Sequence, residues 1–121
     1  MSQRFRPWEH IRSPADFRRV YDRKRSMSDD HIILFACPND LPHSRIGLSV
    51  SRRFGSAVRR NKIRRLYREA FRLSKVELPV GLDLVIVPRS NEIPTLDNLM
   101  RSFRTLAPKV ANRLAKEAKS T

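Results

Sequence analysis

The stretch from residue 46 to residue 72 reads IGLSVSRRFGSAVRRNKIRRLYREAFR, and it joins a strand pattern to a basic helix pattern. Residues 45–51, RIGLSVS, are typical of a strand, and Gly55 lies in the break that follows it. From residue 52 onward, nine of the 21 residues are Arg or Lys and only one is acidic. The stretch therefore predicts a strand, a short break and a cationic helix over residues 57–74.

The predicted basic helix has two distinct faces when each residue turns the chain by about 100°. One arc carries Arg60, Asn61, Arg64, Arg65, Arg68 and Arg72. The opposite arc carries Ile63, Leu66, Tyr67 and Ala70. Like charges four residues apart destabilise a helix by some tenths of a kcal/mol per pair, so a helix selected only for solubility would mix signs. The pattern indicates a surface that binds a polyanion, and the excess of Arg over Lys favours bidentate phosphate contacts.

Composition supports the same interpretation. The chain has 121 residues, 26 Lys and Arg against 12 Asp and Glu, and a net charge of +14. This length predicts one domain with a modest core, and the charge predicts nucleic-acid partners and salt-sensitive binding. An anionic membrane surface is the weaker alternative, because the apolar face of the basic helix has only a core-facing width. The longest apolar runs, residues 32–37 and 84–87, are strand-sized, so no membrane span is expected.

The cellular compartment is predicted from the cysteine content and the N-terminus. Cys37 is the only cysteine, so no intramolecular disulfide can form. The first residues, MSQRFRPWEHIRS, lack the apolar segment of a secretory signal. We therefore expect a cytoplasmic protein.

The remaining patterns predict the other elements. Ser13 and Pro14 can begin a first helix, on which Phe17, Val20 and Tyr21 form an apolar stripe. A short strand is predicted near residues 25–28, and further strands over 31–37, 45–51 and 82–87. The short turn at residues 39–44 predicts an antiparallel hairpin between the two strands that flank it. Thr95 can cap a last helix, which Pro108 is expected to kink or end near Ala107.

These elements predict a single α+β domain, a mixed β-sheet packed by helices in the order α-β-β-β-α-β-α. Residues 13–115 would form the domain and residues 116–121 a frayed tail. Residues 1–12 form a basic N-terminal segment whose order without a partner is left open. Strand, helix and strand around the basic helix predict a βαβ crossover.

Candidate catalytic residues and metal ligands are sparse. His10, His31 and His43 are isolated, and a single cysteine excludes a zinc site built on several thiolates. The adjacent acids Asp29 and Asp30 precede a strand and are typical of a turn. No nucleophile, base and orienting group can be identified, so we predict no catalytic residue and no metal site in this chain.

Three aromatic residues have two possible roles. Phe17 and Tyr21 could simply belong to the core, or they could form a platform on which single-stranded nucleotides stack. Phe35, on the neighbouring predicted strand, would extend that platform. The sequence pattern leaves both interpretations open.

The segments GLSVSRR at residues 47–53 and AVRRNKIRRLYRE at residues 57–69 closely resemble the signature of the protein subunit of bacterial ribonuclease P. The flanks agree with that family, because Phe17 and Tyr21 are four residues apart and the segment DLVIV begins at Asp83. Two positions differ mildly from the family pattern. Lys62 stands where the family usually has Arg, and Arg64 stands where Lys is common.

The resemblance implies a fold and a division of labour. The family's βαβ crossover has the unusual left hand, against the general right-handed preference. Its partner, ribonuclease P RNA, is the catalyst and holds Mg²⁺, while the protein binds that RNA and the 5′ leader of precursor tRNA. The implied RNA-binding motif comprises Arg60, Asn61, Lys62, Arg64, Arg65 and Arg68, preceded by the basic pair Arg52 and Arg53. Arg59 and Arg72, on the same helix, complete the expected RNA-binding residues, and Phe17, Tyr21 and Phe35 form the expected leader-binding cleft.

We therefore expect the protein component of an endonuclease that removes 5′ leaders from precursor tRNA, with no metal bound by the protein and no obligate protein partner. The main alternative is a structural RNA-binding protein of the ribosomal type. A DNA-binding module lacks the expected helix-turn-helix or two-fold partner. A nuclease that acts without RNA is disfavoured by the missing carboxylate cluster.

Overall fold

A four-stranded mixed sheet organises the protein, and the computed structural model describes residues 6–119. The elements are α1 (Pro14–Arg23), β1 (Ser26–Ser28), β2 (Ile32–Pro38), β3 (Arg45–Leu48), α2 (Ala57–Ser74), β4 (Leu82–Pro88) and α3 (Leu96–Lys119). Short 3₁₀ turns occur at Pro7–Glu9, Arg52–Phe54 and Lys75–Glu77. The predicted α+β class and element order are confirmed.

The strand order is β1-β2-β4-β3, so the predicted hairpin between β2 and β3 is wrong. Strand β4 lies between them, antiparallel to β2 and parallel to β3. Almost every residue of β4 is buried, on both faces of the sheet, which suits a central strand better than an edge strand. The unit β3-α2-β4 joins two parallel neighbours and confirms the predicted βαβ crossover.

The sheet separates two hydrophobic clusters. Because successive strand residues point to opposite faces, Leu84 and Ile86 lie on one side of β4 and Val85 lies on the other. The larger cluster includes the buried side chains of α2 and α3, such as Tyr67 and Phe103. The smaller cluster lies under α1. The basic helix α2 and the aromatic helix α1 therefore occupy opposite faces.

Helix α3 continues past Pro108 to Lys119, so of the two predicted effects of this proline the helix end near Ala107 is wrong, and the kink stays a prediction. The predicted cap of α3 by Thr95 is confirmed, because the backbone N–H of Asn98 donates to Thr95 Oγ1 at 3.1 Å. The apolar side chains at positions 106, 110 and 114 are buried on both sides of the proline. This packing offsets the backbone hydrogen bond that Pro108 cannot make.

The end of α3 is attached to the rest of the domain. Residues 116–119 are helical rather than frayed, and Ser120 and Thr121 lie outside the described residues. Glu117 accepts hydrogen bonds from Arg23, at 3.4 Å, and from Arg25. These contacts connect the last turn of α3 to the end of α1 and the start of β1.

The N-terminal segment follows the outer edge of β3 over residues 6–12; residues 1–5 of the predicted basic segment lie outside the described part of the chain. The backbone N–H of Ile11 donates to the carbonyl oxygen of Ile46 at 2.8 Å. Buried Glu9 forms an ion pair with Lys75, with 3.0 Å between Oε1 and Nζ. The segment thus covers the otherwise open edge of the sheet.

Candidate nucleic-acid interface

Helix α2 presents the cationic face that its sequence predicts. The Ser56 side chain caps the helix by accepting a hydrogen bond from the Arg59 backbone N–H at 3.2 Å. Ile63, Tyr67 and Ala70 are buried against the sheet, and Leu66 is half-buried. The outward residues are Arg60, Asn61, Lys62, Arg64, Arg65 and Arg68, of which Arg60 and Arg64 are half-buried and the others exposed.

The charge of this face is not neutralised inside the protein. Over residues 6–119, no carboxylate pairs with the five cations of that set. The Arg64 guanidinium donates to Asn61 Oδ1 at 2.9 Å, and Arg60 Nε donates to the Gly55 carbonyl at 3.3 Å. Both bonds are to neutral acceptors, so they orient the side chains and leave their charge available to phosphate.

Two predicted RNA-binding arginines are committed to other groups. Arg59 Nε donates to the Phe54 carbonyl at 2.9 Å, and the same guanidinium donates to the Asn91 carbonyl. Arg72 Nε donates to Glu69 at 3.1 Å, and this hydrogen bond lowers the pKa of the Glu69 carboxyl. Of the ten predicted RNA-binding positions, Arg72 is therefore the weakest candidate for phosphate contact because its charge is paired, and Arg59 has part of its guanidinium occupied by two carbonyl groups.

The basic pair Arg52 and Arg53 lies in the turn between β3 and α2, with both side chains exposed. The Arg53 guanidinium lies 4.8 Å from the centre of the Phe54 ring, in cation–π geometry. Gly55 ends the turn with φ of +118°, a conformation that favours glycine. The turn therefore places two further cations next to the N-terminus of α2.

The three predicted cleft aromatics lie on the α1 face of the sheet, and all are half-buried. Tyr21 and Phe35 meet edge to face, with ring centres 5.0 Å apart and an interplanar angle of 76°. Phe17 packs over Gly47, beside the outer edge of the sheet. Each ring packs on the smaller cluster and keeps an exposed part, so a core role and a stacking role are compatible.

A buried carboxylate under α1 was not predicted as a site residue. Asp83 is fully buried, and its Oδ1 accepts from Arg45 Nε at 2.8 Å and from Asn39 at 3.0 Å. Its Oδ2 accepts from Arg45 Nη2 at 2.6 Å and from Arg19 of α1. Burial raises the pKa of Asp83. The hydrogen bonds from Arg45 and Asn39 and the nearby arginine charges lower the pKa by more, so the net result lies below the ordinary value.

This network fixes α1 on the sheet. Arg19 also donates to Cys37 Sγ at 2.7 Å and to the Pro38 carbonyl at 2.9 Å. Phe17 and Tyr21 lie on the same helix, two residues to either side of Arg19, so its anchoring holds both aromatic rings in place. An acidic residue at the start of an otherwise apolar strand, LDLVIV, is the sequence signal that could have revealed it.

Residues 6–119 contain neither a cluster of metal-ligating side chains nor a helix that could span a membrane. No three His, Cys, Asp or Glu side chains there come close enough together to hold a metal ion. Asp29 acts as a turn residue, as predicted, because its Oδ1 accepts from the backbone N–H groups of His31 and Ile32 at 2.9 and 3.0 Å. In the same part of the chain, no helix has the length and apolarity needed to cross a bilayer.

Comparison with known proteins identifies the family. The Ribonuclease P family model matches residues 5–111. The chain is 35% identical to the ribonuclease P protein component of Thermotoga maritima, over 94% of this chain and 96% of that protein. It is 41% identical to the corresponding protein of Syntrophobacter fumaroxidans, over 79% and 83%.

Solved structures agree with this assignment. The Staphylococcus aureus RNase P protein superposes with a TM-score of 0.71 at 31% identity, covering 85% of this chain and 94% of that one. The Thermotoga maritima RNase P protein gives a TM-score of 0.65 at 33% identity, covering 89% and 96%. The chain belongs to the family of ribonuclease P protein components.

Proposed function

We propose that this protein binds ribonuclease P RNA through α2 and the Arg52–Arg53 turn, and that it contacts the 5′ leader of precursor tRNA through its aromatic cleft. The observation that carries this proposal is the placement of two different RNA-binding chemistries on opposite faces of one sheet. Unpaired cations suit the phosphates of a folded RNA, and half-exposed aromatic rings suit the bases of an unpaired strand. One protein could thus contact catalyst and substrate together.

The chemistry of cleavage is assigned to the RNA partner. Over residues 6–119, no three His, Cys, Asp or Glu side chains come together, so these residues do not form the convergent carboxylate site of a two-metal protein nuclease. Bound to the RNA, Mg²⁺ would supply the activation needed for phosphodiester hydrolysis. The protein's own residues would offset phosphate repulsion between the two RNAs and orient the leader. The proposal places this activity in the cytoplasm and requires no second protein.

Cleavage at low Mg²⁺ tests this function directly. We expect the protein to increase cleavage of precursor tRNA by a bacterial ribonuclease P RNA, because its cations replace part of the screening that Mg²⁺ otherwise provides. The product 5′ ends should remain at the mature position. Mature tRNA is the control substrate and should stay intact. Tight binding to the RNA without any gain in cleavage would favour the structural RNA-binding alternative.

The leader contact is tested by Tyr21→Ala. Loss of one base–aromatic stack should weaken binding of leader-bearing precursor by about 1–3 kcal/mol, or roughly 5- to 150-fold. Affinity for mature tRNA should not change, and Tyr21→Phe, which keeps the ring, should bind nearly as tightly as the parent protein. Equilibrium binding to the assembled holoenzyme measures both. Equal losses for precursor and mature tRNA would assign Tyr21 to the core alone.

A further inference from the structure

A pocket of about 330 Å³ lies at the outer edge of β3. The N-terminal segment, α1, β3 and α2 all contribute to its walls. Its size is at the lower end of the range for small-ligand pockets, about 300–1,000 Å³. It is bounded by Phe17 of the aromatic cleft and by Arg64 and Arg68 of the basic helix, so it connects the two proposed RNA-binding surfaces.

One wall of the pocket is aromatic. The Phe17 ring lies directly over the backbone of β3 at Gly47, where an added β-carbon would be only 2.6 Å from Phe17 Cζ. A side chain at position 47 would therefore displace the ring. Phe17 remains half-buried and borders the cavity, so part of its surface is available to a planar ligand.

The rest of the lining carries cations and apolar side chains and contains no acid. Arg12, Arg64 and Arg68 line the cavity, and in the part of the chain that the structure describes none of them pairs with a carboxylate. The acids next to lining residues along the chain, Glu9, Asp16 and Glu69, all form ion pairs with cations outside the pocket. The cavity thus has a positive potential with no counter-charge on its walls.

His10, which also lines the pocket, reports this potential. Burial lowers the pKa of its imidazole, and the charges of Arg12 and Arg68 lower it further, against a smaller opposing effect of Glu9. Two guanidinium groups from different elements therefore act on one small space. An anion that entered the cavity would meet both of them.

We infer that this pocket binds one unpaired nucleotide of the precursor leader, with its phosphodiester against Arg12 and its base against Phe17, while Arg68, at the border with the RNA-binding face of α2, adds its charge to the cavity. The inference rests on the proposed function and adds Arg12, and with it the N-terminal segment, to the substrate interface. Guanidinium groups bind phosphate oxygens in bidentate geometry, and an aromatic ring stacks on any base. The leader would pass from the cleft of α1 through this pocket toward the RNA bound on α2.

Arg12→Gln tests the inference, with Arg18→Gln as the matched control. Both arginines are exposed, and Arg18 lies on α1 outside the pocket. In the assembled holoenzyme, Arg12→Gln should weaken binding of leader-bearing precursor about tenfold, the effect of losing a charge-assisted hydrogen bond. Affinity for mature tRNA, and affinity of the protein for ribonuclease P RNA, should stay unchanged. Arg18→Gln should alter none of the three.

Leaders shortened one nucleotide at a time then locate the contact. For the parent protein, affinity should drop at one particular length, and Arg12→Gln should remove that drop. The inference is overturned if Arg12→Gln matches Arg18→Gln for every leader, or if its loss appears with ribonuclease P RNA alone, which would place a nucleotide of the catalyst in the pocket. Tyr21→Ala, measured in parallel, distinguishes failure of this inference from failure of the proposed leader contact. A leader-specific loss for Tyr21→Ala alone defeats only this inference, whereas no leader-specific loss in either variant defeats the proposed leader contact.

Discussion

Replacing Arg60, Arg64 and Arg68 together with alanine should weaken binding to ribonuclease P RNA roughly a hundredfold at 0.1 M salt and flatten its salt dependence. Each phosphate contact contributes about 0.7–0.9 to the slope of log affinity against log salt, so three contacts should remove about 2 to 3 from it. The prediction follows from the absence of carboxylate partners for these side chains over residues 6–119. Equilibrium titrations between 0.05 and about 0.5 M salt measure both quantities.

A matched variant separates local contact from net charge. The matched variant changes three exposed cations of α1 and α3 to alanine, namely Arg18, Arg101 and Lys109. It therefore removes the same number of positive charges from other faces of the protein. This control should reduce affinity only slightly at about 0.1–0.15 M salt, where long-range attraction is screened beyond about 8–10 Å. Equal slopes for the two triple variants would show that α2 is not the contact face.

The comparison of sequence with structure shows which features are local. The faces of α2 could be predicted because helical periodicity alone separates Ile63 from Arg64 and Arg65. The pairing of β3 could not, because a short turn is compatible both with a hairpin and with a strand that leaves room for β4. The predicted end of α3 at Pro108 is wrong for a related reason, because the core contacts that keep α3 helical beyond the proline come from segments distant in the sequence.

In the candidate site, too, some features depend on local sequence and others on contacts between distant segments. Its cations and aromatics occur in local patterns, whereas the pocket at the β3 edge brings together residues as far apart as Arg12 and Arg68. The anchor of α1 joins Arg19 to Asp83, which are 64 positions apart in the chain. Only the fold creates such contacts, and for this reason the sequence pattern predicted the cationic and aromatic surfaces but not the contacts that position them.

Asp83→Asn should lower the free energy of unfolding by about 2–3 kcal/mol at pH 7. Removing one partner of a buried ion pair typically costs about 3–5 kcal/mol, because the remaining charge is left uncompensated. Here the remaining charges are Arg45 and Arg19, whose side chains are 20% and 41% exposed, so water can partly solvate them and the cost falls below that range. Chemical denaturation measures the difference, and Asp22→Asn, at an exposed carboxylate of α1, is the matched control that should be nearly neutral.

The pH dependence identifies the charge as the cause. The pKa of Asp83 in the folded protein lies below its ordinary value of 3.8, so its ionised form stabilises the fold. That contribution is complete above about pH 5 and is lost as pH falls through 3.8 toward the lowered folded pKa. Since the side-chain amide of the Asp83→Asn variant does not titrate, the stability difference between parent and variant should be constant from pH 7 to about pH 5 and should shrink below about pH 4.

Other carboxylates do not obscure this measurement. The pKa values of Asp29 and Glu69 are also lowered by hydrogen bonds, so acid destabilises both the parent protein and the variant through these groups. Their effect cancels in the difference, which isolates Asp83. A difference that stays constant down to pH 2 would assign the loss to packing rather than to charge. A difference that closes in acid, with leader binding at neutral pH weakened while α2 still binds RNA, would show that one buried carboxylate holds α1 and its aromatic cleft in place.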